Sequence, residues 1–234
     1  MLYKEMRYYP LFLDLSLAAC LVIGAGNVGR RKISTLLESG AASVVALDPF
    51  VDQNELQVYL EDSRFRFERR IFKEDDAAGK NLVFVCTSSR EANRKAAEAC
   101  RAQNVLCNVA DAPREGMFIV PSHVEAPPLT LALSTGGASP ALARALKEDL
   151  ETWLGGSYVP LARFLERLRP LLLALGLESG LNAEIFRALC APEFRAEFCA
   201  AVRAGEYERM LDLTKKIVPP ALHASLKELL HGLD

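Results

Sequence analysis

Asp111 is the residue whose position in the sequence most directly suggests chemistry. It follows the apolar run "VLCNV" at residues 105–109, and Pro113 comes two residues later. Ligands of open α/β sheets bind at the carboxyl ends of the strands, so a carboxylate placed there can take part in catalysis. A substrate that gives up a hydride must also lose a proton, and Asp111 could accept that proton as a general base. The side chain could equally cap a turn before the proline, and the spacing leaves both interpretations open.

The stretch "VIGAGNVGRRK" has glycines at the spacing G-x-G-x-x-G, between an apolar run and a helical pattern. The first glycine permits a tight turn, the second lets the backbone approach a pyrophosphate, and the third lets helix and strand pack closely. The start of the helix favours an anion because its backbone N–H groups and dipole point toward it. The motif predicts that a dinucleotide is held by five residues of this loop, namely Gly24, Gly26, Asn27, Val28 and Gly29.

Asp48 ends the second β-rich run, "SVVALD", about 20 residues beyond the glycine motif, as expected for the acid that binds an adenosine ribose. The alternative is a tight turn and a strand-end acid without a ligand. A carboxylate would repel a ribose 2′-phosphate, so Asp48 favours NAD over NADP as the cofactor. Arg30 and Arg31 directly follow the glycine motif, and their positive charges weaken the preference for NAD over NADP.

Small polar residues follow two further apolar runs. Thr87 and Ser88 come after "LVFVC" and could line the dinucleotide crevice, or this segment could cap the helix that begins near Arg90. Asn108 lies on the strand that leads to Asp111, so we expect it near the reactive end of the cofactor.

The stretch "LSTGGASPALAR" places four small residues ahead of a predicted helix start, Ser134, Thr135, Gly136 and Gly137. Exposed backbone N–H groups and the helix dipole could bind a carboxylate or phosphate there. The alternative is a flexible connection that ends in a good helix cap.

His123 could relay protons or bind a metal, but a single histidine is more commonly a surface or structural residue. The sequence has no HxH or HExxH motif and no Cys/His cluster. We therefore predict no dedicated metal centre.

The elements that must position these residues are visible in the alternation of β-rich and helical stretches over residues 11–110. The predicted strands are "LFLDL", "CLVIG", "SVVAL", "RFRFE", "LVFVC" and "VLCNV". The predicted helices between them are "GRRKISTLLESG" and "SREANRKAAEACRAQ". This alternation predicts an α/β fold with a mostly parallel sheet, as in Rossmann-type domains.

The second half of the chain has a different pattern. "MFIVPSHV" and "LTLALST" leave no room for a helix between them, so these strands form a hairpin or pair with another chain. Ser139 is a predicted helix cap, with Pro140 at the first helical position. Further helices are predicted at about 158–176, 181–189, 192–203, 206–216 and 219–231. We therefore expect a Rossmann domain at 1–112, a small β dimerisation region at 113–150 and an α-helical module at 151–234.

Composition excludes several classes of partner. The net charge of −2 gives no basic face for nucleic acid, and no apolar stretch approaches the length of a membrane helix. The six cysteines form no CxxC pair and several lie in apolar runs. We expect them to be reduced core residues of a cytoplasmic protein.

Residues 8–150 resemble the precorrin-2 dehydrogenases, which stand alone or form the N-terminal part of siroheme synthase. The resemblance rests on "YYPLFLDL", "CLVIGAGNVGRRK", "FVCTSS", "CNVADAP", "FIVPS" and "LALSTGGASPALAR", in this order. It implies a homodimer that oxidises precorrin-2 to sirohydrochlorin with NAD and that in some members inserts ferrous iron. It also implies that Asp111 is the catalytic aspartate. Thr135 stands where some members have a serine associated with the tetrapyrrole site.

On this resemblance, we expect a polycarboxylate tetrapyrrole between the Rossmann domain and the dimerisation region. Its carboxylates would meet the helix start near Gly136 and Gly137, with Arg144 or Lys147 as extra donors. Two rival functions are a non-catalytic NAD-sensing module and a methyltransferase that uses S-adenosylmethionine. The full glycine spacing disfavours the methyltransferase, and a sensing module gives no reason for Asp111 beside the hydroxyl-rich loop.

Overall fold

The apolar runs of the first half pair into one parallel sheet. The computed structural model describes residues 8–233, apart from the side chains of residues 156, 157 and 179. The strands are β1 (Ala19–Ile23), β2 (Ser43–Leu47), β3 (Phe65–Glu68), β4 (Leu82–Val85) and β5 (Leu106–Val109). Their order is β3-β2-β1-β4-β5, and every neighbouring pair is parallel. The predicted Rossmann-type α/β sheet is confirmed.

Helices cover both faces of this sheet, which is why its central strands β1 and β4 are apolar throughout. Helix α1 (Asn27–Glu38) packs Ile33 and Leu36 into the core on one face. Helix α3 (Arg90–Ala102) packs Ala96 and Cys100 into the core on the other. The connections on either side of β3 contain short helices that the sequence did not predict. These are a 3₁₀ turn at Gln53–Leu56, helix α2 (Gln57–Leu60) and a 3₁₀ turn at Glu74–Ala77.

The strand predicted at residues 11–15 is wrong. This segment is irregular, and Leu11, Phe12 and Leu13 are exposed. The carbonyl of Leu15 accepts from the N–H groups of Ala18 and Ala42, so the segment ends in a turn that leads into β1. Its apolar run resembled a strand, but such a run does not reveal whether a neighbouring strand is available for pairing.

The second half contains the predicted hairpin followed by helices. Strands β6 (Ser122–Ala126) and β7 (Leu129–Leu133) are antiparallel, and the first begins later than "MFIVPSHV" suggested. Residues 117–118 instead run beside β5, where the Met117 N–H donates to the Cys107 carbonyl at 2.7 Å. The chain divides into two compact units between Val120 and Pro121. The division at residues 112 and 150 stays a prediction.

Ser139 caps α4 as predicted, because its hydroxyl accepts from the Leu142 N–H at 3.2 Å. The helices are α4 (Pro140–Ser157), α5 (Val159–Ala174), α6 (Ser179–Leu189), α7 (Pro192–Ala204), α8 (Tyr207–Lys215) and α9 (Leu226–Leu229). The helix predicted at 219–231 is broken into a 3₁₀ turn at Pro220–Leu222 and the short α9. Phe164, Phe198 and Leu168 are fully buried in the core between these helices.

The expectation that all cysteines lie in the core is wrong for Cys190, which is exposed just after the end of α6. Cys86 is half-buried, and the remaining four are buried. All six are free thiols. Across residues 8–233, no helix has both the length and the apolar character needed to cross a membrane.

Candidate functional site

Three neighbouring strands end together at one edge of the sheet. Ile23 of β1 pairs in register with Val85 of β4, which in turn pairs with Val109 of β5. From β1 the chain continues to β2 and β3 on one side of the sheet, and it then returns to place β4 and β5 on the other side of β1. The strand order therefore reverses between β1 and β4. A reversal of this kind opens a crevice outside the carboxyl ends of the strands, where dinucleotides bind.

The glycine loop after β1 contains two glycines that packing requires. A Cβ on Gly24, whose φ is +92°, would lie 2.8 Å from the backbone of Cys86 and Thr87. A Cβ on Gly29 would lie 1.9 Å from the Gly24 carbonyl oxygen. Gly26 is different, because a Cβ there would meet nothing within 4 Å. The space beside Gly26 is therefore open, as a loop that accepts a pyrophosphate requires.

Asp48 joins the glycine loop to the loop after β2. One carboxylate oxygen accepts from the Ala25 N–H at 2.8 Å, and the other accepts from the N–H groups of Phe50 and Val51 at 2.8 and 3.0 Å. A carboxylate has about four acceptor positions, so these three bonds leave capacity for a further donor. Ribose binding by Asp48 stays a prediction.

The first turn of α1 carries an ion pair. Arg30 donates to the Glu55 carboxylate at 2.6 Å and to the Asn27 side-chain oxygen at 2.8 Å. Arg31 donates to the Asn27 backbone carbonyl at 3.3 Å. Glu55 offsets part of the charge of Arg30, whereas Arg31, the other arginine that weakened the preference for NAD, donates to a neutral carbonyl.

Asp111 is bound by a buried amide on α3. Asn93 is only 1% exposed, and its Nδ2 donates to an Asp111 carboxylate oxygen at 3.0 Å and to the Thr87 carbonyl at 3.1 Å. The Thr87 hydroxyl in turn lies 2.6 Å from the Asn93 side-chain oxygen. The residues that follow β4 and β5 are therefore connected through one side chain.

Charged groups surround the other side of Asp111. Arg90 lies 3.8 Å from the second carboxylate oxygen and also pairs with Glu115. Burial raises the pKa of the Cys86 thiol to about 11, and the negative charge of Asp111 adds to this effect. The Asp111 side chain is 47% exposed, so it is accessible to a substrate and to solvent.

The other predicted residues of this unit have mixed environments. Ser88 and Val28 are exposed beside the crevice, whereas Asn108 is buried with its amide donating to the Phe118 carbonyl at 3.0 Å. The neighbouring Ser89 caps α3, so a helix cap is part of the "TSS" segment. Contacts of Ser88, Val28 and Asn108 with a cofactor stay predictions.

The loop Ser134–Ser139 lies in the second unit, and its hydrogen bonds are local. The Ser134 hydroxyl accepts from the Gly136 N–H at 3.1 Å, and the Thr135 hydroxyl accepts from the Ser139 N–H at 3.3 Å. Gly136 and Gly137 have positive φ. Further along α4, Arg144 pairs with Glu148 and Lys147 with Glu151, both one helical turn away.

His123 on β6 lies 3.7 Å from a Glu125 carboxylate oxygen. Within the described part of the chain, no three His, Cys, Asp or Glu side chains are grouped as metal ligands.

Comparison with known proteins finds similarity in both units. Residues 11–122 match a family model described as "Putative NAD(P)-binding", and residues 128–152 match one described as "Sirohaem biosynthesis protein central". Siroheme synthases of Methylobacillus flagellatus and Nitrosococcus oceani are 38% and 37% identical over 164 residues. Each alignment covers 70% of this chain and 35% of the relative, so the chain spans about a third of their length.

A solved structure named "SirC, precorrin-2 dehydrogenase" superposes with a TM-score of 0.71 and 26% sequence identity. The match covers 89% of this chain and all of the other. This chain is therefore similar to a solved precorrin-2 dehydrogenase and to about a third of the length of the siroheme synthases. The resemblance predicted from the sequence is confirmed, and it extends into the helical module.

Sequence reasoning missed three residues around the Asp111 carboxylate: Asn93, Arg90 and Glu115. A signal for Asn93 was present, because it precedes the buried Ala96, Ala97 and Cys100 at helical spacing. A polar residue on the buried face of a helix needs a partner, and that requirement directs attention to the strand ends that α3 covers.

Proposed function

We propose that this chain is an NAD-dependent dehydrogenase that oxidises precorrin-2 to sirohydrochlorin in siroheme biosynthesis. The observation that carries the proposal is the shared edge of β1, β4 and β5, where an open glycine loop and a half-exposed carboxylate, Asp111, occur together. The siroheme synthases and the precorrin-2 dehydrogenase that the chain matches support the choice of substrate.

The glycine loop suits the pyrophosphate of NAD, because the space beside Gly26 is open and α1 begins directly after it. The remaining acceptor capacity of Asp48 would take a ribose hydroxyl. Bound NAD supplies the hydride acceptor. The pairing of Arg30 with Glu55 supports NAD rather than NADP, since a ribose 2′-phosphate would have to compete with Glu55 for that arginine.

Asp111 acts as the general base in this proposal. Oxidation removes a hydride and a proton from the tetrapyrrole; the two electrons leave with the hydride, and the proton passes to the carboxylate. Arg90 lies 3.8 Å from the carboxylate. Because Asp111 is half-exposed, the accepted proton can then move to solvent.

The loop Ser134–Gly137 would bind carboxylates of the substrate in this proposal. The side chains of Ser134, Thr135 and Ser139 already serve the local turn and cap, so backbone N–H groups and the α4 dipole are the donors we favour. Arg144 is an additional donor, since its pair with Glu148 is exposed and easily exchanged.

We further propose that the protein is a cytoplasmic homodimer. Leu142, Leu146 and Trp153 are exposed on α4, and their spacing of four and seven residues places them on one face. A two-stranded hairpin is marginally stable alone, so pairing of the hairpin with a second copy would complete the sheet. The free cysteines suit a reducing compartment.

Insertion of ferrous iron into sirohydrochlorin is a second proposed activity, with iron as a substrate. The macrocycle would hold the iron with its four nitrogens and would release two protons as the metal enters. Asp111 is the base we expect to receive them, because it is the half-exposed carboxylate at this edge of the sheet.

The test is incubation of the purified protein with precorrin-2 and NAD, followed through the tetrapyrrole absorption spectrum. We expect conversion to sirohydrochlorin with NADH formation, and a further spectral change when ferrous iron is added. Asp111→Asn should lower turnover by about 10²–10⁴-fold, which is the usual contribution of a general base, while NAD binding stays within about twofold. NAD binding without any turnover by the wild-type protein would contradict the dehydrogenase and favour an NAD-sensing module.

A further inference from the structure

Lys32 is a half-buried cation on helix α1. Its ammonium nitrogen lies 5.7 Å from the centre of the Phe84 ring, which belongs to β4. Within the part of the chain that the structure describes, this ammonium makes no hydrogen bond and no ion pair. Lysine side chains normally bury the stem and keep the charged end in water. Lys32 is therefore unusual in holding its charge against the sheet without an anion.

This charge is costly where it lies. Burial lowers the pKa of the Lys32 ammonium, and the adjacent charge of Arg31 lowers it further. A distance of 5.7 Å is close to the limit of about 6 Å for a cation–π contact, so the Phe84 ring offsets only part of the cost. Charges withdrawn from water are normally paired. A bound anion would supply the partner that the protein does not.

Lys32 lies on the same half of the crevice as Asp111. Strands β4 and β5 are on one side of β1, whereas β2, which leads to the predicted ribose ligand Asp48, is on the other. Cys86 directly follows β4, and the charges of Lys32 and Asp111 act on its thiol in opposite senses. Both charged groups are therefore near one thiol, on the half of the crevice away from Asp48.

We propose that Lys32 binds a carboxylate of the tetrapyrrole substrate. The identity of this ligand rests on the proposed function. The nicotinamide ring carries no negative charge, whereas the tetrapyrrole carries several carboxylates, so the substrate is the source of an anion on this half of the crevice. The ammonium would donate a charge-assisted hydrogen bond to one of those carboxylates. The pyrophosphate of NAD is the other available anion, and its predicted place is beside Gly26 at the start of α1.

Binding of sirohydrochlorin, the product of the proposed reaction, tests this role without turnover. We expect Lys32→Met to raise its Kd about tenfold, as for the loss of one charge-assisted hydrogen bond. Lys32→Arg should stay within about threefold of the wild-type protein, because it keeps the charge. Titration followed through the absorption of the macrocycle measures each Kd. An unchanged Kd in Lys32→Met, or no binding by the wild-type protein, would overturn the proposal.

The affinity for NAD identifies the source of the anion. Measured by calorimetry, the Kd of NAD should stay within about twofold of the wild-type value in Lys32→Met. A tenfold loss of NAD affinity with unchanged affinity for sirohydrochlorin would mean that Lys32 binds a phosphate of the cofactor. That result would overturn the assignment to the substrate.

Kinetics with precorrin-2 separate this proposal from the proposed function. Lys32→Met should raise KM about tenfold and change kcat by less than about threefold, because the contact is made to the bound substrate before reaction as well as during it. Turnover by the wild-type protein with an unchanged KM in Lys32→Met would overturn the role of Lys32 and leave the dehydrogenase in place. No turnover by the wild-type protein, with the expected loss of sirohydrochlorin affinity in Lys32→Met, would contradict the dehydrogenase and support the role of Lys32.

Stability separates ligand binding from a structural role. Methionine has a similar length and no charge, so Lys32→Met should unfold in urea at the same midpoint as the wild-type protein or at a higher one. A lower midpoint together with weaker binding of both ligands would mean that Lys32 supports the fold through Phe84, and the proposal would fail.

Lys80→Met is the matched control. Lys80 is also half-buried, and it lies two residues before β4, at the end of that strand opposite to Cys86. This variant removes the same charge from the same compact unit, and we expect it to leave the Kd of sirohydrochlorin and the KM of precorrin-2 unchanged. Equal losses in the two lysine variants would mean that net charge explains the effect, which would overturn the proposal.

Discussion

Two hydroxyl-bearing segments of this chain use similar residues in opposite ways. After β4, Thr87 bonds to Asn93 on α3 and through it to Asp111, which lies beyond a different strand. Before α4, Thr135 bonds to the backbone of Ser139, four residues along the chain. The first segment is positioned by tertiary contacts and the second by its own turn. A substitution near Thr87 should therefore affect distant residues, whereas one near Thr135 should have local effects.

Glycines of the two compact units follow the same division. Gly29 lies where helix and loop touch, and a Cβ there would collide with the Gly24 carbonyl. Gly136 has a φ of +63° but nothing within 4 Å of a Cβ. At Gly29 the surrounding fold requires glycine, and at Gly136 only the local backbone conformation does.

The largest effect should therefore come from Gly29→Ala. Its Cβ would lie 1.9 Å from backbone that cannot turn aside, so we expect a loss of about 3 kcal/mol or more in the free energy of unfolding, together with loss of NAD binding. Gly136→Ala should cost about 1 kcal/mol, the usual penalty for an L-residue with positive φ. Urea denaturation followed by circular dichroism measures both losses. Equal losses in the two variants would contradict the difference between a glycine required by the surrounding fold and one required only by its local backbone conformation.

The same division explains which features could be predicted from the sequence. The parallel sheet, the glycine loop and the place of Asp111 at a strand end were predictable, because each depends on local pattern and on a few rules of topology. The cap at Ser139 was predictable for the same reason.

Features that depend on contacts between distant segments were missed. Asn93 is one polar residue in a helix, and its role becomes visible only when α3 lies across the ends of β4 and β5. The strand predicted at 11–15 failed for the converse reason, since an apolar pattern was present without a neighbouring strand. Asp48 was predicted as a ribose ligand, and its bonds to the backbone of the glycine loop were not foreseen.

Ion pairs provide an intermediate test of the comparison. Asp76, in the 3₁₀ turn at Glu74–Ala77, receives two bonds from Arg70 at 2.7 and 2.8 Å and one from the Lys73 N–H at 2.7 Å. The Arg70 guanidinium is the main cause of a lowered pKa for the Asp76 carboxyl. In the second unit, Arg144 and Glu148 form an exposed pair within one helix.

Because the pKa of Asp76 is lowered by folding, its contribution to stability is fully present above about pH 4 and is lost as the pH falls through the lowered value. We expect Asp76→Asn to cost about 1–2 kcal/mol at pH 7, discounted for the partial exposure of Arg70, and less near pH 3, which is below the ordinary pKa of an aspartate. Urea denaturation of wild type and variant at both pH values measures the difference. Glu148→Gln is the control and should cost less than about 0.5 kcal/mol at either pH. A cost for Asp76→Asn that does not change with pH would contradict this account.

The smallest effect should come from Ser139→Ala. Loss of the cap on α4 should cost about 1 kcal/mol, and Ser139→Asp should restore most of it, because aspartate also caps helices well. The protein's one tryptophan, Trp153, lies on α4, so its fluorescence during denaturation reports on this helix. NAD affinity, measured by calorimetry, should be unchanged in both variants, since the bonds of Ser139 connect to Thr135 and Leu142 within its own unit. A fall in NAD affinity in Ser139→Ala would mean that this cap is coupled to the glycine loop. The bonds of Ser139 would then have effects beyond their own turn, which would contradict the contrast between the locally positioned segment before α4 and the segment after β4 that tertiary contacts position.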